Sequence, residues 1–356
     1  MTSPAARMPA PAGTWPTEDL ERVASCPACG GAPSGAWREG LVDDVFSCAP
    51  GTWTLARCSI CGAAWLDPRP TPASVMRAYA RYYTHDAVSL PRSSGLGPKV
   101  ALRNGYLRAR WGYDASPTLA LGRWVVGRRR RAALDLEVRH LPRPEGRARL
   151  LDVGCGNGAF LATMKARGWE VHGLEPDPAA AAAARAAGID VKRGTLVDVD
   201  WPDGTFRAVT MSSVIEHVHD PAGILAACRR LLAPGGVIHI VTPNIDSLGA
   251  ERFGRHWRGF EAPRHLVMFN RGSLARLLGE CGFEGVTFHP RYAGEWFWLA
   301  SGAIERGLAP EAVRELPREM RRALRREGSL ADRRVAREPE RAEELVVTAR
   351  RPGPGQ

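Results

Sequence analysis

The sequence has no apolar run near the roughly 18–20 residues of a membrane-spanning helix, so no helical span is expected in the chain. It also lacks a continuous apolar stretch near its start. Met1 to Pro16 is rich in Ala and Pro, which argues against a secretory signal and reads as a disordered tail. Cysteine is sparse, eight in 356 residues, too few for a disulfide framework at this length. Free thiols suit a reducing compartment, and the expected location is cytoplasmic. Lysine is almost absent, three residues against 46 arginines. With Ala, Gly and Pro abundant, this imbalance reads as a GC-rich coding sequence. The formal charge of +11 therefore does not require a nucleic-acid partner. The basic residues lack the interleaved aromatics on which bases stack, so a solvated basic surface is expected, without bound nucleic acid.

Four of the cysteines stand at metal-ligand spacing. Cys26-Pro27-Ala28-Cys29-Gly30 and Cys58-Ser59-Ile60-Cys61-Gly62 are matched knuckles, and two residues between cysteines let both thiolates reach one tetrahedral ion. The Gly after each second Cys can take positive φ and turn backbone N–H groups toward the sulfurs. Four thiolates complete the coordination sphere, so Cys26, Cys29, Cys58 and Cys61 are expected to bind a structural zinc, with unpaired thiols or a redox pair as the competing reading. The 28-residue gap leaves room for extra strands around Phe46 and Trp53, and Cys48 has no partner at ligand spacing.

The expected organisation is a tail (1–22), a zinc ribbon (23–70), a helical connector (71–131), a catalytic domain (132–351) with an insertion at 291–340, and a short tail (352–356). In the connector, Thr71-Pro72 resembles a helix start. Val75, Met76, Tyr79, Tyr82 and Tyr83 would share one face of that helix, and packing is the expected role of the tyrosines. Arg92 to Pro98 reads as a loop, and Arg128 to Arg131 as a solvated basic run.

From residue 132 apolar strands alternate with helical patterns, which implies an α/β domain with a parallel sheet covered on both faces. The strand Leu150 to Val153 runs into Gly154-Cys155-Gly156-Asn157-Gly158, where glycines permit a tight turn and close ligand approach. A helix over 157–168 follows. The strand Glu170 to Leu174 then delivers Glu175, and Asp177-Pro178 opens an Ala-rich helix ending at Gly188. Strand, Gly-rich turn, helix, strand, acid is a nucleoside-binding order, with the acid accepting from ribose hydroxyls. GxGxG replaces the dinucleotide GxGxxG. Asp152, two residues before the first Gly, would repel a pyrophosphate but could meet the ammonium of an amino acid.

Asp152-Val-Gly-Cys-Gly-Asn-Gly158 with Glu175 downstream resembles motif I and the following acid of class I S-adenosylmethionine-dependent methyltransferases. Later segments continue the resemblance: Pro202 to Phe206 before a strand at 208–211, Ser213-Val-Ile-Glu-His217-Val218, a helix opened by Asp220-Pro221 and ended by Pro234-Gly235-Gly236, and a strand at 237–241. A helix at 273–281, a strand at 286–289 and a final strand at 344–349 complete it, the last one antiparallel. The resemblance implies a Rossmann-like, seven-stranded, mostly parallel sheet and S-adenosylmethionine as cofactor. It implies that Asp152, Gly154 and Gly156 hold the methionine end and Glu175 the ribose. Leu196 would pack on the adenine beside Thr195, and Ser213 and His217 would line the cofactor–substrate junction. One departure stands out: Arg207 follows Phe206 where the family usually has Asp.

Methyl transfer from a sulfonium is an in-line displacement in which positioning supplies most of the rate. A base is useful where the acceptor carries a proton, and His217, His256 and His265 are the candidates, each with a structural histidine as the alternative. His256 and His265 lie in a segment resembling a substrate cover. Trp296, Phe297 and Trp298 open the insertion and are expected to pack or form a lid, while 318–326 reads as a solvated helix. The expected acceptor is a small molecule methylated on oxygen in preference to carbon or nitrogen, in secondary metabolism or glycan tailoring. The competing readings are an RNA methyltransferase that grips RNA with its ribbon and a non-catalytic cofactor-binding module. Against the first, the strand after 211 lacks the Asn/Asp-Pro-Pro-aromatic set that holds an exocyclic amine.

Overall fold

A computed structural model describes residues 11–80 and 97–353. Tyr82, Tyr83, most of the Arg92–Pro98 loop and the extreme termini lie outside the described residues.

The N-terminal part is built from short strands: β1 (Leu20–Glu21), β2 (Pro33–Leu41), β3 (Trp53–Cys58), β4 (Ala64–Leu66) and β5 (Arg69–Pro70). β1 pairs with β5, while β2, β3 and β4 form an antiparallel sheet. Phe46 lies in the turn joining β2 to β3. Among the described residues the expected connector helix is a 3-10 turn, Val75–Tyr79, preceded by Ser74 rather than capped by Thr71. Its pattern fails because Met76 is 54% exposed while Tyr79 turns inward to His217. After residue 97 come α1 (Pro98–Trp111), α2 (Gly122–Val125) and α3 (Arg128–Glu137). The basic run is the start of α3, with Arg128, Arg129 and Arg130 exposed.

The large sheet follows. β6 (Arg149–Val153), α4 (Ala159–Lys165), β7 (Glu170–Glu175), α5 (Pro178–Ala186), β8 (Asp190–Arg193), β9 (Phe206–Ser212), α6 (Pro221–Leu231) and β10 (Leu232–Pro243) form the alternating part. α7 (Leu248–Phe253), β11 (Val267–Met268), α8 (Arg271–Glu280), β12 (Glu284–His289), α9 (Gly294–Glu305), α10 (Arg318–Val335) and β13 (Glu344–Arg350) complete the chain. Seven strands stand in the order β12-β13-β10-β9-β6-β7-β8. All are parallel except β13, which runs antiparallel to both neighbours. Leu150 to Val153 are buried, as a central strand covered on both faces requires. Asp177 and Asp220 cap α5 and α6 through the backbone N–H groups of Ala180 and Gly223, each with Pro at the first helical position. α6 ends earlier than the Pro234-Gly235-Gly236 signal suggests. The chain enters β10 at Leu232, and the strand absorbs those residues as a register shift between Leu232 and Val237.

Two features tie the parts together. β11 adds to the small sheet, Val267 opposite Trp65 and Met268 opposite Ala64, so the cysteine-bearing part borrows a strand from the segment after β10. A continuous apolar core runs from Trp53 and Trp65 through Leu266 and Phe269 to Val209 and Met211 under the large sheet. Residues 291–340, expected as an insertion, hold a hairpin of α9 and α10. The helices cross where Gly294 meets Gly328, so closely that a Cβ on Gly294 would lie 2.5 Å from the Gly328 carbonyl oxygen. Phe297 and Trp298 are buried in this packing and Trp296 is half exposed, which is packing rather than an open lid. No described helix is long and apolar enough to cross a membrane.

Candidate functional site

The four ligand-spaced cysteines converge. Cys26 Sγ lies 3.7 Å from Cys61 Sγ and Cys29 Sγ 3.5 Å from Cys58 Sγ, with all four sulfurs within 4.8 Å of one another. A tetrahedron with metal–sulfur bonds of about 2.3 Å places sulfurs about 3.8 Å apart, so the donor set fits a thiophilic ion in size and chemistry. Gly30 and Gly62 take φ of +70° and +74°. Against the upward push of burial, the N–H groups of Cys61 and Ile60 directed at its sulfur bring the Cys58 thiol down to about 7. Burial raises Cys61 to about 11 and Cys26 further still.

At the carboxyl end of the large sheet, the β6–α4 loop turns on Gly154, Gly156 and Gly158, all at positive φ. A Cβ on Gly156 would meet nothing within 4 Å, so the loop backbone faces open space where a ligand could approach. Glu175 ends β7 with Oε2 accepting from Gly156 N–H at 2.8 Å and Oε1 from Asp177 N–H at 2.9 Å. A carboxylate accepts about four hydrogen bonds, so two sites remain for hydroxyl donors. Burial raises its pKa, partly offset by those two N–H groups. Ser213 is exposed at the end of β9 with φ of +53°. Leu196 is buried beside the crevice. Thr195 is exposed and bonds back to Asp198 through N–H and Oγ1 at 2.7 and 2.8 Å. These residues suit a nucleoside with an amino-acid arm.

Asp152 differs from its expected setting. It is 1% exposed, and its Oδ1 accepts from Thr210 Oγ1 at 2.7 Å and from Arg139. Burial raises its carboxyl against the pull of Arg139 and Thr210. The carboxylate is therefore engaged by Thr210 and Arg139, and the guanidinium carbon of Arg139 lies 3.6 Å from the centre of the Phe160 ring. No sequence signal marked Arg139, which sits at φ of +47° just beyond α3.

Of the three histidines, two meet. His217 and His265 have ring centres 4.6 Å apart, edge to face. His217 Nδ1 lies 3.1 Å from the Arg264 carbonyl and 2.9 Å from the Tyr79 hydroxyl, while His265 Nδ1 lies 2.7 Å from the Gly259 carbonyl. A carbonyl can only accept, which assigns a proton to each Nδ1 and leaves each Nε2 with its lone pair. Burial lowers His217 to about 4 and His265 to about 3, so both are neutral at pH 7. His256 is apart from this pair, with Nε2 3.3 Å from Arg255 Nε. His219 is half-buried, its Nε2 2.9 Å from the Pro70 carbonyl.

Behind the histidines is a charged cluster that spacing did not reveal. Glu261 binds Arg258 at 2.5 Å and Arg264 at 3.2 Å, and Arg264 also binds Asp43 at 2.5 and 3.1 Å. Arg264 and Asp43 are wholly buried. Despite burial, Arg258 and its neighbours hold Glu261 far below the usual carboxylate range. Glu216 is the opposite case. With no cation beside it, burial pushes its carboxyl to about 8, and Thr242 donates to Oε2 at 3.0 Å. Adjacency to His217 and His265 was the only hint that these neighbours matter.

A family model for a methyltransferase domain matches residues 126–287. The ubiquinone biosynthesis O-methyltransferase of Hahella chejuensis is 31% identical over 163 residues, covering 40% of this chain and 67% of that protein. The protein of the same description from Alkalilimnicola ehrlichii is 34% identical over 180 residues, covering 44% of this chain and 70% of that protein. A crystal structure of an S-adenosylmethionine-dependent methyltransferase from Mesorhizobium loti superposes with a TM-score of 0.40 at 22% identity, over 62% of this chain and 98% of that one. The chain belongs to the class I S-adenosylmethionine-dependent methyltransferases and is an enzyme of that class.

Proposed function

We propose that this enzyme methylates a hydroxyl oxygen of a small-molecule acceptor, with Tyr79, His217 and His265 at the acceptor side of the crevice. The observation that carries the reading is the pair of neutral imidazoles beside the carboxyl edge of the sheet, where the Nε2 of His217 keeps its lone pair and that of His265 lies 4.0 Å from the Glu261 carboxylate. The named activity of the curated relatives supports oxygen as the acceptor atom. Tailoring of a secondary metabolite or glycan is the biological setting we favour.

S-Adenosylmethionine supplies an electrophilic methyl group on sulfur. Gly156 would admit it to the loop, with Gly154 packed against Val214 to make the turn, Glu175 would accept from the ribose hydroxyls, Leu196 would pack against the base beside Thr195, and Ser213 would line the junction. Asp152 holds Arg139 in place, and Arg139 offers a cation to the carboxylate of the methionine end. A group with a pKa near 4 is a weak base, but an oxygen gaining a third bond becomes a strong acid. His217 Nε2 therefore takes the hydroxyl proton late in the displacement, when little basicity is needed. The test is incorporation of labelled methyl into a panel of phenols and hydroxylated lactones. His217→Asn should lower kcat by about 10²-fold or more with cofactor affinity unchanged, and equal rates for the two proteins would remove His217 from the chemistry.

Cofactor binding is checked separately by calorimetry with S-adenosylhomocysteine. Glu175→Gln keeps the shape but loses the charge, and about a tenfold or greater weakening is expected for charge-assisted hydrogen bonds worth about 1.5–3 kcal/mol. Unchanged affinity would place the ribose elsewhere.

We further propose that Cys26, Cys29, Cys58 and Cys61 hold a structural zinc. About one zinc per chain should be found by elemental analysis, and Cys26→Ser/Cys58→Ser should lose it along with thermal stability. A metal-free, equally stable wild type would refute this assignment.

A further inference from the structure

A cavity of about 950 Å³ opens at the opposite end of the large sheet from Gly156 and Glu175. It is framed by the amino ends of β6, β7, β9 and β10 and the carboxyl end of β13, and its volume suits a small ligand. Nothing in methyl transfer uses this end of the sheet.

Its charge is one-sided. Five arginines line it against Glu145 and Glu170. Two of the five are neutralised: Arg143 by Asp114 at 2.6 Å and Arg149 by Glu170 at 2.9 Å. Arg207 and Arg350 instead donate to a single carbonyl, Gly235 O, at 2.6 and 3.4 Å. A carbonyl cancels neither charge, so two guanidinium groups are held side by side against their mutual repulsion. Arg147 lines the same mouth. Arg207 stands where the resemblance to the family implies an Asp. The departure thus places a cation in a cavity that already holds one at Arg350.

The inner wall is flat and aromatic. The His140 and His289 rings stack with centres 3.8 Å apart at 22°, and Trp111 meets His140 edge-on at 5.8 Å. His140 is 8% exposed, and its Nδ1 has no hydrogen-bond partner in the structure.

We propose that this cavity binds a small planar anion, an aromatic or heteroaromatic ring bearing a phosphate or carboxylate. The anionic group sits between Arg207, Arg350 and Arg147, where planar guanidinium groups match its oxygens. The ring lies toward Trp111 and His140. The site is separate from the cofactor crevice, so both can be filled at once.

The experiment is calorimetric titration of the full chain at low salt with phenyl phosphate and with inorganic phosphate, each repeated with saturating S-adenosylhomocysteine. Phenyl phosphate should bind at least tenfold more tightly than inorganic phosphate, and saturation of the cofactor site should change its affinity by less than twofold. Arg207→Asp, which restores the residue usual in the family, should weaken it tenfold or more while S-adenosylhomocysteine still binds as in the wild type. Should that variant not fold, Arg147→Gln and Arg350→Gln are read in its place. The proposal is overturned by absence of phenyl phosphate binding at millimolar concentration, by equal affinity in the arginine variants, or by competition with S-adenosylhomocysteine. If S-adenosylhomocysteine itself does not bind, the cofactor assignment fails, and the arginine variants still decide this one.

Discussion

Arg264→Met is expected to destabilise the chain by about 3–5 kcal/mol, the usual cost of removing one partner from a buried ion pair. Arg264 and Asp43 are both wholly buried, and the pair joins the β2–β3 turn to the segment that carries His265. Arg264 also donates to the Ala78 carbonyl at 2.9 Å, one residue before Tyr79. Its loss leaves Asp43 as an unpaired buried charge and frees the turn that presents Tyr79 to His217. Denaturant unfolding monitored by tryptophan fluorescence measures the effect. Pairing the change with Asp43→Leu should recover only part of the loss, because Asp43 also accepts from the N–H groups of Phe46, Cys48 and Ala49 at 3.1, 2.9 and 3.0 Å. A single Arg264→Met variant within 1 kcal/mol of wild type would show that the pair does not hold the two parts together.

Mild acid should unfold the protein. Burial lowers His140 and His265 to about 3, His217 and His289 to about 4, and His239 well below its ordinary value. In the unfolded chain each titrates near 6.5. The folded pKa lies below the unfolded one, so these groups leave stability intact above pH 6.5. Stability is lost as pH falls below 6.5, because the unfolded chain takes up protons that the fold refuses. Glu216 acts in the other direction. Raised to about 8 in the fold, it favours the folded state most at low pH, and that contribution fades as pH rises from 4.5 to 8. Asp152, Glu175, Asp332 and Glu343, raised by burial, act with Glu216, and near pH 5.5 the five histidines set the net sign, a loss of stability as pH falls. Melting temperatures at pH 7.5, 6.5 and 5.5 should fall steeply over the last interval. His239→Leu separates this effect from metal release. Both ring nitrogens of His239 are buried without partners, so the variant should be at least as stable at pH 7 and lose about 1.4 kcal/mol per pH unit of the slope. A melting temperature that stays level to pH 5.5 would contradict the burial of these imidazoles.

Residues close in sequence were read well, and for a physical reason. The Gly-rich loop, the cap at Asp177 and the acid at Glu175 depend on backbone conformation within a few residues, which residue type governs directly. The alternation of strands and helices was legible because hydrophobic period and length distinguish the two, while the count of seven strands was what the resemblance to the family implied. The helix start at Thr71-Pro72 was misplaced because a face of Val, Met and Tyr has helical spacing whether or not a helix forms, and Tyr79 instead contacts a histidine 138 residues away. Asp152 was legible as an acid at a strand end, but not as the partner of Arg139, since neither residue carries a mark of the other.

By itself the sequence determined the α/β class, the spacing of the cysteine pairs and the order of strand, Gly-rich loop, helix and acid, all set by local spacing and periodicity. Tertiary structure decided which charges are paired, which of three histidines stand together, and that β11 completes the small sheet. Those outcomes depend on burial and on contacts between distant segments. The same aspartate is a solvated group in one setting and the buried partner of an arginine in another, and only the folded chain decides between them.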